Sequence, residues 1–156
     1  VFREIVMPSS VAKICLAVVL LVVSASTIAA HSGATGVVKE RMMLMKQMAK
    51  DTKALAKMAF GKTAYDAAAV RQHVGEIEKR AGAAMTELFP AGSDMAPSEA
   101  TANIWRSWDK FTAIAAELES AASAMSAGAD QGPAAAKAAF GRLAGTCKAC
   151  HSAFRK

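Results

Sequence analysis

Residues 133–156 read PAAAKAAFGRLAGTCKACHSAFRK. Pro133 stands where a helix can begin, because the first turn has no use for the N–H that proline lacks. Phe140, Leu143, Cys147, Cys150, His151 and Phe154 then recur at three- and four-residue intervals, the period of one face of an α-helix. A helix apolar on one side must bury that side against other elements. Near its end stands Cys147-Lys148-Ala149-Cys150-His151. On a helix, Cys147 and Cys150 share a face, and His151, four residues past Cys147, joins it. Lys148 and Ala149 point elsewhere. Cys-x-x-Cys-His is the attachment signature of a c-type haem. Two thiols add across the two vinyl groups of the ring, and the following histidine turns its imidazole to the iron as an axial ligand. The same spacing can be half of a zinc site or a redox dithiol. A closed zinc site needs four ligands, and the one other cysteine, Cys15, lies in a segment expected to be removed. A redox dithiol usually accompanies a βαβ pattern, and no strand-like alternation is visible here.

The chain of 156 residues suffices for one domain. It is 53% hydrophobic, much of that alanine, the strongest helix former, so the composition reads all-α. The formal net charge is +6, and setting aside residues 1–30 with Arg3, Lys13 and Glu4 leaves 17 basic and 12 acidic residues. That modest excess permits an acidic docking partner. It does not argue for nucleic acid, since no basic run is interleaved with aromatics. No Ser/His/Asp set, paired carboxylates or open metal constellation is visible, so an enzyme is not expected.

Residues 1–30 read as a cleaved signal peptide: Arg3 and Lys13 are basic, Ile14 to Val23 is unbroken and apolar, and Ser24 to Ala30 is a run of mostly small residues ending at a cleavage point after Ala29 or Ala30. The apolar run is too short to span a bilayer well. The expected mature domain, 31–156, is therefore exported to the periplasm of a bacterium and not membrane-bound. Four helical stretches follow. The first spans about Gly36 to Phe60, with Val38, Met42, Met45, Met48, Thr52 and Leu55 on one face, and Gly61 closes it. The second starts at the N-cap candidate Asp66 and runs through Val70, Val74, Ile77, Ala81, Ala84 and Leu88 to Pro90. The third opens near Ser98 or Thr101 and carries Ile104, Trp108, Phe111, Ala115, Leu118, Ala122 and Met125. The fourth begins at Pro133. Four amphipathic helices of ~20 residues with short connections make an antiparallel up-down-up-down four-helix bundle. The cluster Met42, Met43, Met45, Met48 and Met58 reads on its own as adaptable core filling. His73 reads as exposed, and Trp105 and Trp108 as packing residues. Lys39, Lys46, Lys50 and Lys53 form a basic side of the first helix. Such a side is ordinarily a solvated face, and it is also where an acidic redox partner could dock.

A bundle whose last helix carries Cys147-Lys148-Ala149-Cys150-His151 followed by Phe154-Arg155 resembles the cytochrome c′ family, the class II c-type cytochromes. Gly61-Lys62-Thr63-Ala64-Tyr65-Asp66 is similar to that family's Gly-x-x-Pro-Tyr-Asp, with Ala64 in place of proline. Ile104-Trp105 and Arg41 also match. The resemblance implies one covalent haem c with its iron, a monomer or homodimer paired through the first two helices, and an arginine at position 41 beside the haem propionates. Arg41 read alone is equally a solvated helix residue. Position 45 would face the distal side of the haem. Methionine there resembles the family's low-spin subgroup, in which it is the sixth ligand; an apolar residue would leave the iron five-coordinate. Met45 could instead act only as a steric guard. Met42 and Met48 lie one turn to either side and are haem-contact candidates with Trp105, Phe154 and Arg155. Arg155 either shapes the proximal pocket or is a solvated terminal cation. Two functions follow: a carrier of single electrons with His151/Met45 ligation, serving redox partner proteins, or a five-coordinate protein that binds or senses NO or CO.

Overall fold

The structure is a computed structural model and describes residues 33–156; the signal-peptide reading of residues 1–30, with Cys15, and His31 lie outside the described residues. Helix α1, Gly36–Ala59, ends at Phe60. Gly61 follows at φ 67°, where any other residue would be strained. The N–H of Lys62 returns to Lys57 O at 2.7 Å, so the last carbonyls of α1 are satisfied by the reversal itself. Asp66 caps α2, Ala67–Glu78, its Oδ1 accepting from the N–H groups of Ala68 and Ala69 at 2.8 and 3.1 Å.

The second expected helix is shorter than its apolar pattern. It breaks at Ala81, which is extended (φ −87°, ψ −171°), and resumes as the short α3, Gly82–Thr86, with Gly82 at φ 55°. The third breaks as well: α4, Asn103–Arg106, is separated by Ser107 (φ −131°, ψ 47°) from α5, Trp108–Ala127. Helical spacing carries across both breaks, three residues (79–81) in the first and Ser107 alone in the second, because so short an interruption rotates the following helix without removing its apolar side. After a 3₁₀ turn at Ala129–Gln131, α6 runs Pro133–Phe154 with proline in its first turn.

Among these elements α1 packs on α2 and α6, and α5 packs on α2, α3 and α6, so α1, α2, α5 and α6 close a ring of four helices with α1 and α5 on the diagonal. This is the expected four-helix bundle. Its interior has two apolar clusters. The first gathers Met48, Leu55, Met58, Val70, Val74, Ile77, Leu118, Ala122, Met125, Phe140 and Leu143. The second gathers Met85, Phe89, Ala100, Ile104, Phe111, Ala115 and Phe154. Phe111 is its centre, with ring contacts to Phe89 at 4.8 Å and Phe154 at 5.4 Å. No described helix is long and apolar enough to cross a membrane.

One polar contact corrects the sequence reading. His73 is not a free surface histidine: its Nδ1 lies 2.9 Å from Oδ1 of Asp51, which is buried on α1. Arg80 approaches the other carboxylate oxygen at 3.7 Å and also pairs with Glu76. The buried carboxylate thus has its partners, as a charge removed from water requires. It joins α1 to α2 and to the turn that follows.

Candidate haem site

The Cys147–His151 motif lies in the last two turns of α6, and its side chains diverge between the two cores. Cys147 packs against the first cluster and Cys150 against the second. Across from them, Leu44 of α1 packs against both clusters, and its neighbour Met45 against the second alone. The motif therefore sits at the seam of the two cores, with the 44–45 segment of α1 on the opposite wall. Leu88, Trp105 and Ala153 line the same second cluster. Trp105 is fixed by donating its indole N–H to Phe89 O at 3.0 Å. Phe154 is buried within that cluster.

The methionines separate. Met48 is 6% exposed and belongs to the first cluster, away from Cys150. Met42 is half-buried and packs against neither cluster, while Met45 shares the second with Cys150. Leu44 was missed by sequence reasoning. Its signal was available in principle, since it lies one residue from Met45 on the inner half of α1.

Arg41 is not a solvated residue but is buried and bonded to the loop that follows α3. It is 5% exposed, a turn before Met45, and every nitrogen of its guanidinium is used. Nε donates to Leu88 O at 3.1 Å, Nη1 to Ser93 O at 3.2 Å and to Ser98 Oγ at 2.9 Å, and Nη2 to Ser93 Oγ at 2.6 Å. The guanidinium also stacks 4.1 Å over the Phe89 ring. Burial lowers its pKa from the usual arginine value, and nearby Asp94 works against that shift. It is a clamp on the loop 88–98. The same loop is held from α6: Lys156 Nζ donates to Ser98 O at 3.1 Å and to Asp94 O at 3.3 Å, Lys156 N–H to Glu99 O at 2.8 Å, and Arg155 pairs with Glu99.

The electrostatics suit the chemistry the motif implies. Burial pushes the Cys147 thiol upward and, with the neighbouring Cys147, the Cys150 thiol up to about 11, so both are neutral thiols near pH 7. Partial burial, then the Arg155 cation, lowers the His151 pKa, with Glu99 opposing, a shift toward the neutral form that binds a metal. Arg155 is itself exposed and paired with Glu99. Among the described residues no group of three or more His, Cys, Asp or Glu side chains gathers to hold a metal ion. Two uncharged, half-buried thiols at the seam of the cores, the exposed imidazole of His151 next to them and an apolar opposite wall fit a haem joined by thioethers, with His151 available to its iron.

Fold and site together define a c-type haem protein built on a four-helix bundle. The model of the Cytochrome C' family matches residues 36–155, and the chain belongs to that family, whose members carry covalent haem c. It is similar to cytochrome c-556 of Agrobacterium fabrum (strain C58), 36% identical over 122 residues, which is 78% of this chain and 82% of that one. Among solved structures it resembles the cytochrome c′ from Rhodopseudomonas palustris, with a TM-score of 0.73 at 33% identity over 79% of this chain and 98% of that one. It also resembles the nitric oxide complex of a cytochrome c′ mutant from Alcaligenes xylosoxidans, with a TM-score of 0.69 at 28% identity over 77% and 94%.

Proposed function

We propose that the protein is a periplasmic carrier of single electrons, not a catalyst, whose haem iron is held between His151 and Met45. The supporting observation is the placement of Met45. Of Met42, Met45 and Met48, Met45 alone packs against the cluster that Cys150 also packs against. The bound haem supplies a one-electron couple at its iron. A thioether and an imidazole are both uncharged ligands, and methionine ligation favours the ferrous state and raises the potential. On this chain, His151 and Met45 come from α6 and α1, Arg41 fixes the loop against the Met45 helix, and the apolar second cluster lines the seam.

The deciding measurement is the optical spectrum of the reduced protein with and without CO. Wild-type protein is expected to be low-spin and to bind CO slowly or not at all. Met45→Leu keeps a similar apolar volume, so the packing cost stays below ~1.5 kcal/mol. It removes the sulfur, and the product should be high-spin, lower in potential and quick to bind CO. Met42→Leu and Met48→Leu should leave the spectrum nearly unchanged. The second reading, an NO- or CO-binding protein, is favoured by the likeness to a cytochrome c′ solved with nitric oxide; a high-spin wild-type spectrum would decide for it. Export rests on residues 1–30, and Edman sequencing of the purified protein should begin between Ala29 and Gly36. A soluble product that retains Val1 or Met7 would overturn that part.

A further inference from the structure

The outward side of α1 has properties that helix stability does not explain. Lys39, Lys46, Lys50, Lys53 and Lys57 are all exposed. At 3.6 residues per turn they fall within an arc of about 60° and along about 27 Å of the axis, opposite the side that buries Arg41, Met48 and Leu55. None of the five is ion-paired: the ion pairs among the described residues are made by Arg71, His73, Lys79, Arg80 and Arg155. The spacing sets Lys46 against Lys50 and Lys53 against Lys57 at i,i+4, and Lys50 against Lys53 at i,i+3. Like charges at these intervals destabilise a helix. A merely solvated face gains nothing from that pattern, since alternating signs would solvate as well and add support.

The charge is also placed unevenly. Helix α1 carries five lysines and Arg41 against Glu40 and Asp51, a net +4, and Asp51 is already paired with His73. On the diagonal helix α5, Asp109, Glu117 and Glu119 stand against Lys110, a net −2. Helix α6, packed on α1, adds the exposed Lys137, Arg142 and Lys148 with no acidic residue, so the positive side runs along α1 and its neighbour α6. Two of its exposed large apolar side chains border the stripe: Met43, 55% exposed, lies beside it among Lys39, Lys46 and Lys50, and Phe60, also 55% exposed, lies just past its end with Lys137 Nζ 5.6 Å over the ring. A row of cations with one apolar side chain beside it and another past its end is the composition of a charged contact with anchoring points, not of a plain solvated helix.

We propose that the outer face of α1 is the docking surface for an acidic electron-transfer protein, whose carboxylates align with Lys39, Lys46, Lys50, Lys53 and Lys57 while Met43 and Phe60 make the apolar contacts. The proposal rests on the electron-carrier reading above. Met45 lies on the inner side of the same helix, so a partner seated on the outer face is separated from the site by about one helix diameter, roughly 10–12 Å. One electron crosses and no atom is transferred: the partner loses one electron as the iron gains one, or the reverse.

The test uses the holoprotein and a flavodoxin, chosen as an acidic one-electron protein. Addition of flavodoxin to ¹⁵N-labelled protein should shift resonances along residues 39–60 and leave those of α5 in place. In stopped-flow mixing at about 20 mM salt, the triple variant K46E/K50E/K53E should accept electrons from reduced flavodoxin at least tenfold more slowly than wild type, and the salt dependence of the wild-type rate should disappear with it. Reduction by uncharged hydroquinone and the optical spectrum should be the same for both proteins. An unchanged flavodoxin rate in the variant, or a footprint away from α1, would overturn the proposal. Lysine-dependent flotation with phosphatidylglycerol vesicles, without a flavodoxin footprint, would overturn it in favour of a lipid contact. A footprint on α1 with no electron passed would uphold the acidic docking surface and overturn the carrier reading instead.

Discussion

Arg41 and the Cys147–His151 motif mark the two ends of what single residues disclose. The motif is legible because its chemistry is local: five consecutive positions fix which side chains share a helix face. Arg41 is not legible in that way. Its partners stand 47 to 57 residues away in sequence, on a loop whose course no periodicity describes. His73 escaped for the same reason, since Asp51 lies on another helix. The geometry of Arg41 sets an expectation. Arg41→Ala removes a charged donor from four acceptors, one buried and three part-buried, which should cost about 2–4 kcal/mol. Arg41→Lys should recover only a minor part, because an ammonium cannot reproduce the planar fork. Urea unfolding of the three proteins checks both statements, with the midpoint of the lysine variant closer to that of alanine than to wild type.

At the scale of elements, the four long apolar stripes and the signals at their ends were readable: Asp66 as a cap, Gly61 and Pro133 as stop and start. The breaks at 79–81 and at Ser107 were not, because an apolar pattern with a period near four survives an interruption of one to three residues. Gly82 is the position where the backbone rather than the pattern decides. Its φ of 55° suits glycine, and a Cβ there would run into the carboxylate of Glu119 on α5. The glutamate side chain can swing away, so the conformational penalty remains as the main cost. Gly82→Ala should therefore destabilise by about 1–2 kcal/mol. Gly141→Ala is its control: the added methyl meets nothing within 4 Å on α6, and it should be neutral or slightly stabilising. Thermal melts of both variants distinguish local backbone strain from a general intolerance of added methyl groups.

In the whole molecule, one loop is gripped from two sides. Arg41 holds residues 88–98 to the helix that carries Met45, and the segment after His151 holds the same region through Lys156, Arg155 and the Thr101 N–H bond to Phe154 O at 2.9 Å. With the bundle closed this way, both thiols are half-buried at the seam of the cores, and the Cys150 thiol is pushed up to about 11. Sulfur reacts chiefly as thiolate, so at pH 8 folded apoprotein should be alkylated by iodoacetamide about ten- to hundredfold more slowly than the same chain in urea. Equal rates in the two conditions would show that the seam does not shield them. The protection has a meaning for how the protein is made. A chain that folds before its haem arrives would half-cover the two sulfurs that must receive it, so the expected order is thioether formation on an open chain, with the closing of the bundle as the final act of maturation.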